Sequence, residues 1–294
     1  MSKLTVGIVQ QTCTEDRADN IARSIAGIRE AAKKGAQLVC LQELHTGVYF
    51  CQEEADFRFD QAESIPGPST EQFGALAREL GIVLVISLFE KRAPGLYHNT
   101  AVVLEKDGTI AGKYRKMHIP DDPAFYEKFY FTPGDLGFQP IPTSVGKIGV
   151  LVCWDQWYPE AARLTAMAGA DVLVYPTAIG YKLEESEEDT KFQKEAWITS
   201  MRGHAVHNGL PVIAINRTGF EPDRTPTREG IRFWGNSFIV GPQGEFLAQA
   251  AEDKEEVHVV ELDLARTDLI RRAWPFFRDR RIDAFGDLLK RWRD

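Results

Sequence analysis

Cys153 closes a strongly apolar run, Val150-Leu-Val-Cys153, and is followed at once by Trp-Asp-Gln-Trp-Tyr-Pro-Glu160. Ligand sites in α/β sheets lie beyond the carboxyl ends of strands. A thiol there, near a helix N-terminus, is expected to have a stabilised thiolate. Free cysteines are also common as buried small hydrophobes, but the aromatic and polar residues crowded after Cys153 are unusual for inert core. Glu43 ends a second apolar run, Leu38-Val-Cys-Leu-Gln-Glu43. It reads either as a solvated carboxylate or as a member of the same sheet-top site. Lys116 sits in Lys113-Tyr-Arg-Lys-Met-His-Ile-Pro120 and alone reads as a surface charge. A thiol and a carboxylate at one sheet-top site would be a nucleophile beside a proton acceptor. Moving a proton from an ordinary thiol (about 8.5) to an ordinary glutamate (about 4.3) is uphill by roughly 5.7 kcal/mol. A neighbouring ammonium and burial of the carboxylate would have to narrow that gap.

Other chemistries find little support. Cys13, Cys40 and Cys51 form no C-x-x-C pair, and no G-x-G-x-x-G, phosphate-binding loop or G-x-S-x-G elbow occurs. His204 and His207 lie three apart on one helix face, without the H-E-x-x-H pattern of a zinc site, so no metal is expected. A formal charge of −8 argues against a general nucleic-acid partner. No apolar run approaches the roughly 18 residues of a membrane-spanning helix. The first residues, MSKLTVGIVQ, carry no long apolar segment of a secretory signal, so a cytoplasmic location is expected.

The elements that must position these groups alternate. Apolar runs at 4–9, 36–41 and 82–88 read as buried strands. Between them, Ile21, Ile25, Ile28 and Ala32 mark one helix, and Phe73, Leu76 and Leu80 another. Ser69 and Gln72 have the spacing of a capping box, and Gly81 a stop. Asn99–Leu104 and Thr109-Ile110 around Asp107-Gly108 predict a hairpin. A second pass follows: strands at 147–152, 171–175 and 210–215, helices at 159–168 and 186–207, and a hairpin from Asn236 through Gln243-Gly244 to Phe246. Matching hairpins at the same place in each half predict an α/β fold, a four-layer α-β-β-α sandwich with internal pseudo-twofold symmetry. An ordinary three-layer doubly wound sheet is the alternative. No linker is evident, so residues 1–294 are expected to form one domain. The segment 266–294 carries nine Lys/Arg against five Asp/Glu, with Trp274, Phe276, Phe277, Phe285 and Trp292. It is expected to pack at a subunit interface of a homo-oligomer, a dimer or larger.

Five segments carry a resemblance to a known family: Pro66-Gly-Pro-Ser-Thr70, Glu43, Tyr114-Arg-Lys116-Met-His118, Tyr126-Glu127 through Asp135, and Cys153-Trp-Asp. They resemble the nitrilase, or carbon–nitrogen hydrolase, superfamily, and the order Glu43, Lys116, Cys153 matches its catalytic triad. The resemblance runs from the first strand to about Asp283. It implies the nitrilase-like sandwich, a cysteine nucleophile at Cys153, a general base at Glu43, an oxyanion partner at Lys116 and a supporting glutamate at Glu127. It also implies dimers built into larger assemblies, and neither a metal nor an organic cofactor.

Within the superfamily, Glu43 to Gln52, Lys116 to Asp121, Cys153 to Arg163 and Tyr175 to Gly180 are most similar to the N-carbamoylputrescine amidases. That resemblance implies a small carbamoyl amine substrate, split to putrescine, carbon dioxide and ammonia. It places Tyr49 and Trp154 at the site. Those amidases carry an acid two positions after Ala-Ile-Gly, where this chain has Lys182. Glu184, the first acid beyond it, is the expected partner of the substrate ammonium. Glu185, Glu187, Glu188 and Asp189 follow, and for most of these acids a solvated first helical turn is the simpler reading. Three other readings stay open: an amidase of a carbamoyl amino acid such as carbamoyl-β-alanine or of another small amide, a binding protein on the same fold, and a Cys–His hydrolase using His118, His204 or His207.

Overall fold

Strands whose side chains are apolar on both faces must be covered on both faces, and the chain achieves this twice. The structure is a computed structural model describing residues 3–226 and 228–293; Met1, Ser2, Thr227 and Asp294 lie outside the described residues. In the first half, β1 (Lys3–Gln10), β2 (Leu38–Leu41) and β3 (Val83–Ala93) run parallel, connected through α1 (Arg17–Lys33) and α2 (Pro68–Leu80). The hairpin β4 (Leu96–Leu104) and β5 (Ile110–Arg115) extends the sheet antiparallel. A single-turn α3 (Glu127–Tyr130) and the short β6 (Ile141–Thr143) lead into the second half.

That half begins with β7 (Gly146–Val150), α4 (Pro159–Met167) and β8 (Val172–Pro176), followed by β9 (Gly180–Lys182), α5 (Glu187–Asn208) and β10 (Val212–Ile215). After β11 (Thr218–Pro222) and β12 (Gly230–Trp234), the hairpin β13 (Phe238–Val240) and β14 (Phe246–Gln249) closes the repeat. β15 (Glu256–Asp263) and α6 (Leu264–Ala273) follow.

The sheet orders show the symmetry: β15-β1-β2-β3-β4-β5 in one and β14-β13-β10-β8-β7-β6 in the other. In each, three parallel strands are followed by an antiparallel hairpin and preceded by one antiparallel edge strand. Side chains alternate between the two faces of a strand. Val83 and Val85 of β3 enter a core shared with Ile148, Val150 and Leu173 of the second sheet. Leu84, Ile86 and Leu88 instead meet Ile28, Ala31 and Phe73 from the helices. The result is the α-β-β-α sandwich.

Helix α2 and strand β15 are among the elements that differ from the sequence reading. Helix α2 starts at Pro68 rather than after a Ser69 cap, because proline suits the first helical position. Thr70 Oγ1 reaches back to accept the Gly67 N–H at 2.8 Å, while Ser69 Oγ donates to Glu63 at 2.7 Å. β15 was not anticipated; it pairs with β1 in the register Lys3↔Asp263 to Gln10↔Glu256. Gly81, by contrast, ends α2 in the left-handed conformation (φ 67°), as expected.

A small sheet, β11-β12-β9, stands apart from the two main sheets. It needs Gly180: a Cβ there would lie 2.3 Å from the Arg232 carbonyl oxygen.

Candidate active site

The ends of two parallel strands, one from each half, carry the candidate carboxylate and thiol. β2 runs out into Glu43 and β7 into Cys153. Each end holds a non-glycine residue in the left-handed region, Leu44 at φ 48° and Cys153 at φ 42°. Such backbone costs of order 1–3 kcal/mol and persists where surrounding contacts over-determine it. Here Leu44 N–H donates to Ser87 Oγ at 3.1 Å, and Val152 N–H to Asp155 Oδ2 at 2.9 Å. Cys153 opens a 3₁₀ turn that continues to Trp157.

Lys116, just beyond β5, is fully buried rather than on the surface. Its ammonium donates to Glu43 Oε1 at 2.8 Å and to Glu127 Oε2 at 2.7 Å. Burial alone would lower its pKa, but Glu127 and Glu43 raise it well above the ordinary value, so the amine stays charged. Glu127, at the start of α3, also accepts from the Tyr49 hydroxyl at 2.7 Å. Burial pushes its carboxyl up, against the pull of Lys116. Asn99 Nδ2 donates to Glu43 Oε1 at 2.7 Å. Glu43 Oε2 is buried and has no hydrogen-bond partner among the described residues.

The thiol departs from the sequence expectation. Burial raises the Cys153 pKa well above normal, and Glu43 raises it further, while Lys116 acts in the opposite direction. Its Sγ lies 3.9 Å from the Ala178 carbonyl oxygen. Burial and Glu43 thus both favour the neutral thiol over the thiolate. A second buried anion beside Glu43 would be costly.

Cys153, Glu127 and Trp154 line a cavity of about 360 Å³, together with Phe125, Trp157 and Trp234. Tyr49 is buried outside this wall and touches Glu127 from behind, so it supports the site rather than surfacing it. Glu184 is exposed and off the wall. A turn closed by Glu185 N–H to Lys182 O at 3.0 Å brings Glu185 to the cavity instead. None of the described histidines lines it. His118 is bound to Asp155 at 2.7 Å, His204 to the Gln156 carbonyl oxygen at 2.8 Å, and His207 is exposed. Among the described residues no cluster of His, Cys, Asp or Glu is arranged to hold a metal.

Sequence reasoning missed Arg217. Its fully buried guanidinium donates to the carbonyl oxygens of Glu43 (2.8 Å) and Leu44 (3.1 Å) and to Glu221 Oε1 (2.6 Å). Glu221 Oε2 in turn accepts the Tyr49 N–H. The signal was available: Asn216-Arg217 follows β10, a third strand end at the same sheet top.

The sandwich is that of a carbon–nitrogen hydrolase. Residues 5–272 match the carbon–nitrogen hydrolase family, and the chain belongs to it. It is thus an enzyme that hydrolyses amide C–N bonds. The N-carbamoylputrescine amidase of Solanum lycopersicum is 43% identical over 288 residues, 97% of this chain and 95% of that protein. The citrullinase of Francisella tularensis is 37% identical, over 99% of this chain and all (100%) of that protein. The crystal structure of a carbon–nitrogen hydrolase from Helicobacter pylori G27 superposes with a TM-score of 0.96 at 55% identity, covering 99% of this chain and 100% of that one. Among the described residues no helix is long and apolar enough to cross a membrane.

Proposed function

We propose that the enzyme hydrolyses the ureido C–N bond of a small carbamoyl amine whose far end carries an ammonium, with N-carbamoylputrescine the first compound to test. Cys153 is the nucleophile, Glu43 the general base and acid, and Lys116 the oxyanion partner. The observation that supports this is the unpaired Oε2 of Glu43, a buried acceptor in a site that favours a protonated thiol.

Glu43 takes the thiol proton as sulfur bonds to the ureido carbon. The carbonyl oxygen becomes an oxyanion, stabilised by Lys116 and by a backbone N–H near Trp154. Glu43 returns the proton to the amine nitrogen, the C–N bond breaks, and a carbamoyl thioester remains on Cys153. Water then attacks with its proton passing to Glu43. The C–S bond breaks, the thiol is restored, and carbamic acid leaves and splits into carbon dioxide and ammonia. One ureido compound and one water give one amine, one carbon dioxide and one ammonia. Glu127, held by Tyr49, keeps Lys116 aimed and charged.

The test is ammonia release from N-carbamoylputrescine with stoichiometric putrescine, by the native chain and by Cys153→Ala. Turnover that survives in a folded Cys153→Ala protein would remove the nucleophile assignment. Cys13, Cys40 and Cys51 replaced singly by Ala should leave substantial activity.

A further inference from the structure

The cavity wall carries an ion pair that the reaction at Cys153 does not use. Lys182 Nζ lies 3.0 Å from Glu185 Oε1, and the two side chains are only 25% and 19% exposed. Gln193 Nε2 donates to the other oxygen of Glu185 at 3.2 Å. Both charged residues line the same cavity as Cys153. Their backbone is fixed: Lys182 pairs with Ile231 in the β9–β12 ladder, and Glu185 closes a turn onto the Lys182 carbonyl oxygen. The acids after Glu185 are exposed, and Ser186 caps α5 by accepting the Asp189 N–H at 3.0 Å.

Charge matching limits what this wall accepts. A neutral urea engages neither group. An ammonium alone could take Glu185, but it would meet Lys182 beside it and leave that lysine without its partner in a half-shielded wall. A carboxylate alone has the mirror-image problem. A substrate end bearing both charges on one carbon has neither problem, because one ion pair is exchanged for two. Like charges set side by side are a strong device for rejecting the wrong ligand.

We propose that Lys182 and Glu185 read a zwitterionic end, so that the preferred substrate class is an ω-ureido-α-amino acid, with its carboxylate on Lys182 and its ammonium on Glu185. The inference rests on the ureido hydrolysis proposed above and narrows its substrate. Asp122, on the same wall, adds a further negative charge on the ammonium's side of the balance.

Four probes separate the terms: L-citrulline carries both charges, N-carbamoylputrescine the ammonium, 5-ureidopentanoate the carboxylate and n-butylurea neither. For the native enzyme, kcat/KM for L-citrulline should exceed those for the two singly charged compounds by at least about tenfold. Lys182→Met should cost L-citrulline at least about tenfold more than it costs n-butylurea, chiefly in KM, and Lys182→Arg should restore the preference. Lys182→Glu should move the preference towards N-carbamoylputrescine. Faster turnover of N-carbamoylputrescine than of L-citrulline by the native chain would overturn the charge reading while the reaction stands. An equal loss on all four compounds in Lys182→Met would also overturn it. Failure of the native enzyme to split any of the four would instead refute ureido hydrolysis itself and the narrower proposal with it.

Discussion

Asp155 holds His118 twice: Oδ1 accepts the backbone N–H at 3.0 Å and the ring Nδ1 at 2.7 Å. Its other oxygen accepts the Val152 N–H at 2.9 Å and the Tyr114 hydroxyl at 2.8 Å. One buried carboxylate thus ties the turn that presents Cys153 to the segment that presents Lys116. We propose that the relative placement of Cys153 and Lys116 depends on that tie.

Asp155→Ala should therefore lower both stability and kcat. It strips partners from buried donors at a cost of about 1–3 kcal/mol for each one left unsatisfied. Asp155→Asn keeps the shape but loses an acceptor, so its thermal midpoint should lie between those of the Ala variant and the native protein. Thermal unfolding followed with ammonia release checks both. Native midpoint and native kcat in Asp155→Ala would show that the tie is dispensable.

Glu43→Gln should leave substrate binding largely intact and reduce kcat by about 10² or more, because shape is kept and proton transfer is lost. The resting thiol makes the demand on Glu43 acute, since burial and Glu43 itself hold the proton on sulfur. Lys116→Ala should cost about 10²–10³ for a different reason, the missing oxyanion donor. Single-turnover kinetics with mass detection of the carbamoyl enzyme separates the two steps. Normal formation of that intermediate in Glu43→Gln would take the general-base role away from Glu43.

Tyr49→Phe tests the support behind Glu127. The Tyr49 hydroxyl donates to the carboxylate form, which lowers the Glu127 pKa against the upward push of burial. Removing the donor should raise that pKa further. Glu127 then protonates at higher pH and loosens its hold on Lys116, so the acid limb of the kcat/KM profile should move upward in pH. A downward or absent shift in the profile would mean that Glu127 does not work as an anion.

How much of this was readable in advance depended on how local the determinants are. The hairpins from Asn99 and Asn236 look alike because each extends three parallel strands, so the symmetry could be read from short segments. Glu43 and Cys153 were visible for the same reason, as charges or thiols ending apolar runs. The burial of Lys116 was not, because its counter-charges sit 73 and 11 residues away. Arg217 was hidden likewise, since it serves carbonyl oxygens 174 and 173 residues distant. β15 mixes charged and apolar residues and finds its partner at the opposite end of the chain. Glu184 and Glu185 are one residue apart, and the turn from Lys182 brings Glu185 rather than Glu184 to the cavity.

The C-terminal segment gives the last prediction. Arg163 and Arg271 stack on Phe277 at 4.8 and 5.1 Å and dock the start of the tail. Beyond it, Ile282, Leu288, Leu289 and Trp292 stay exposed, Leu289 at 95% and Trp292 at 80%. The basic excess is partly cancelled within the segment, since Arg278 pairs with Asp279, Arg281 with Asp283, and Lys290 and Arg293 with Asp287. Apolar area, rather than charge, is what this tail leaves uncovered. Large clustered apolar side chains mark an interaction surface, and a specific interface needs about 800 Å² from each partner. We propose that a second copy of this chain covers residues 266–293. Sedimentation at micromolar concentration should then give a dimer or a larger assembly. Leu289→Asp combined with Trp292→Asp should shift the distribution towards the 33.1 kDa monomer. The same change should lower the thermal midpoint in a manner that depends on protein concentration, because subunit association stabilises the fold by mass action. A fully active native monomer, or an assembly whose mass ignores both substitutions, would place the interface elsewhere.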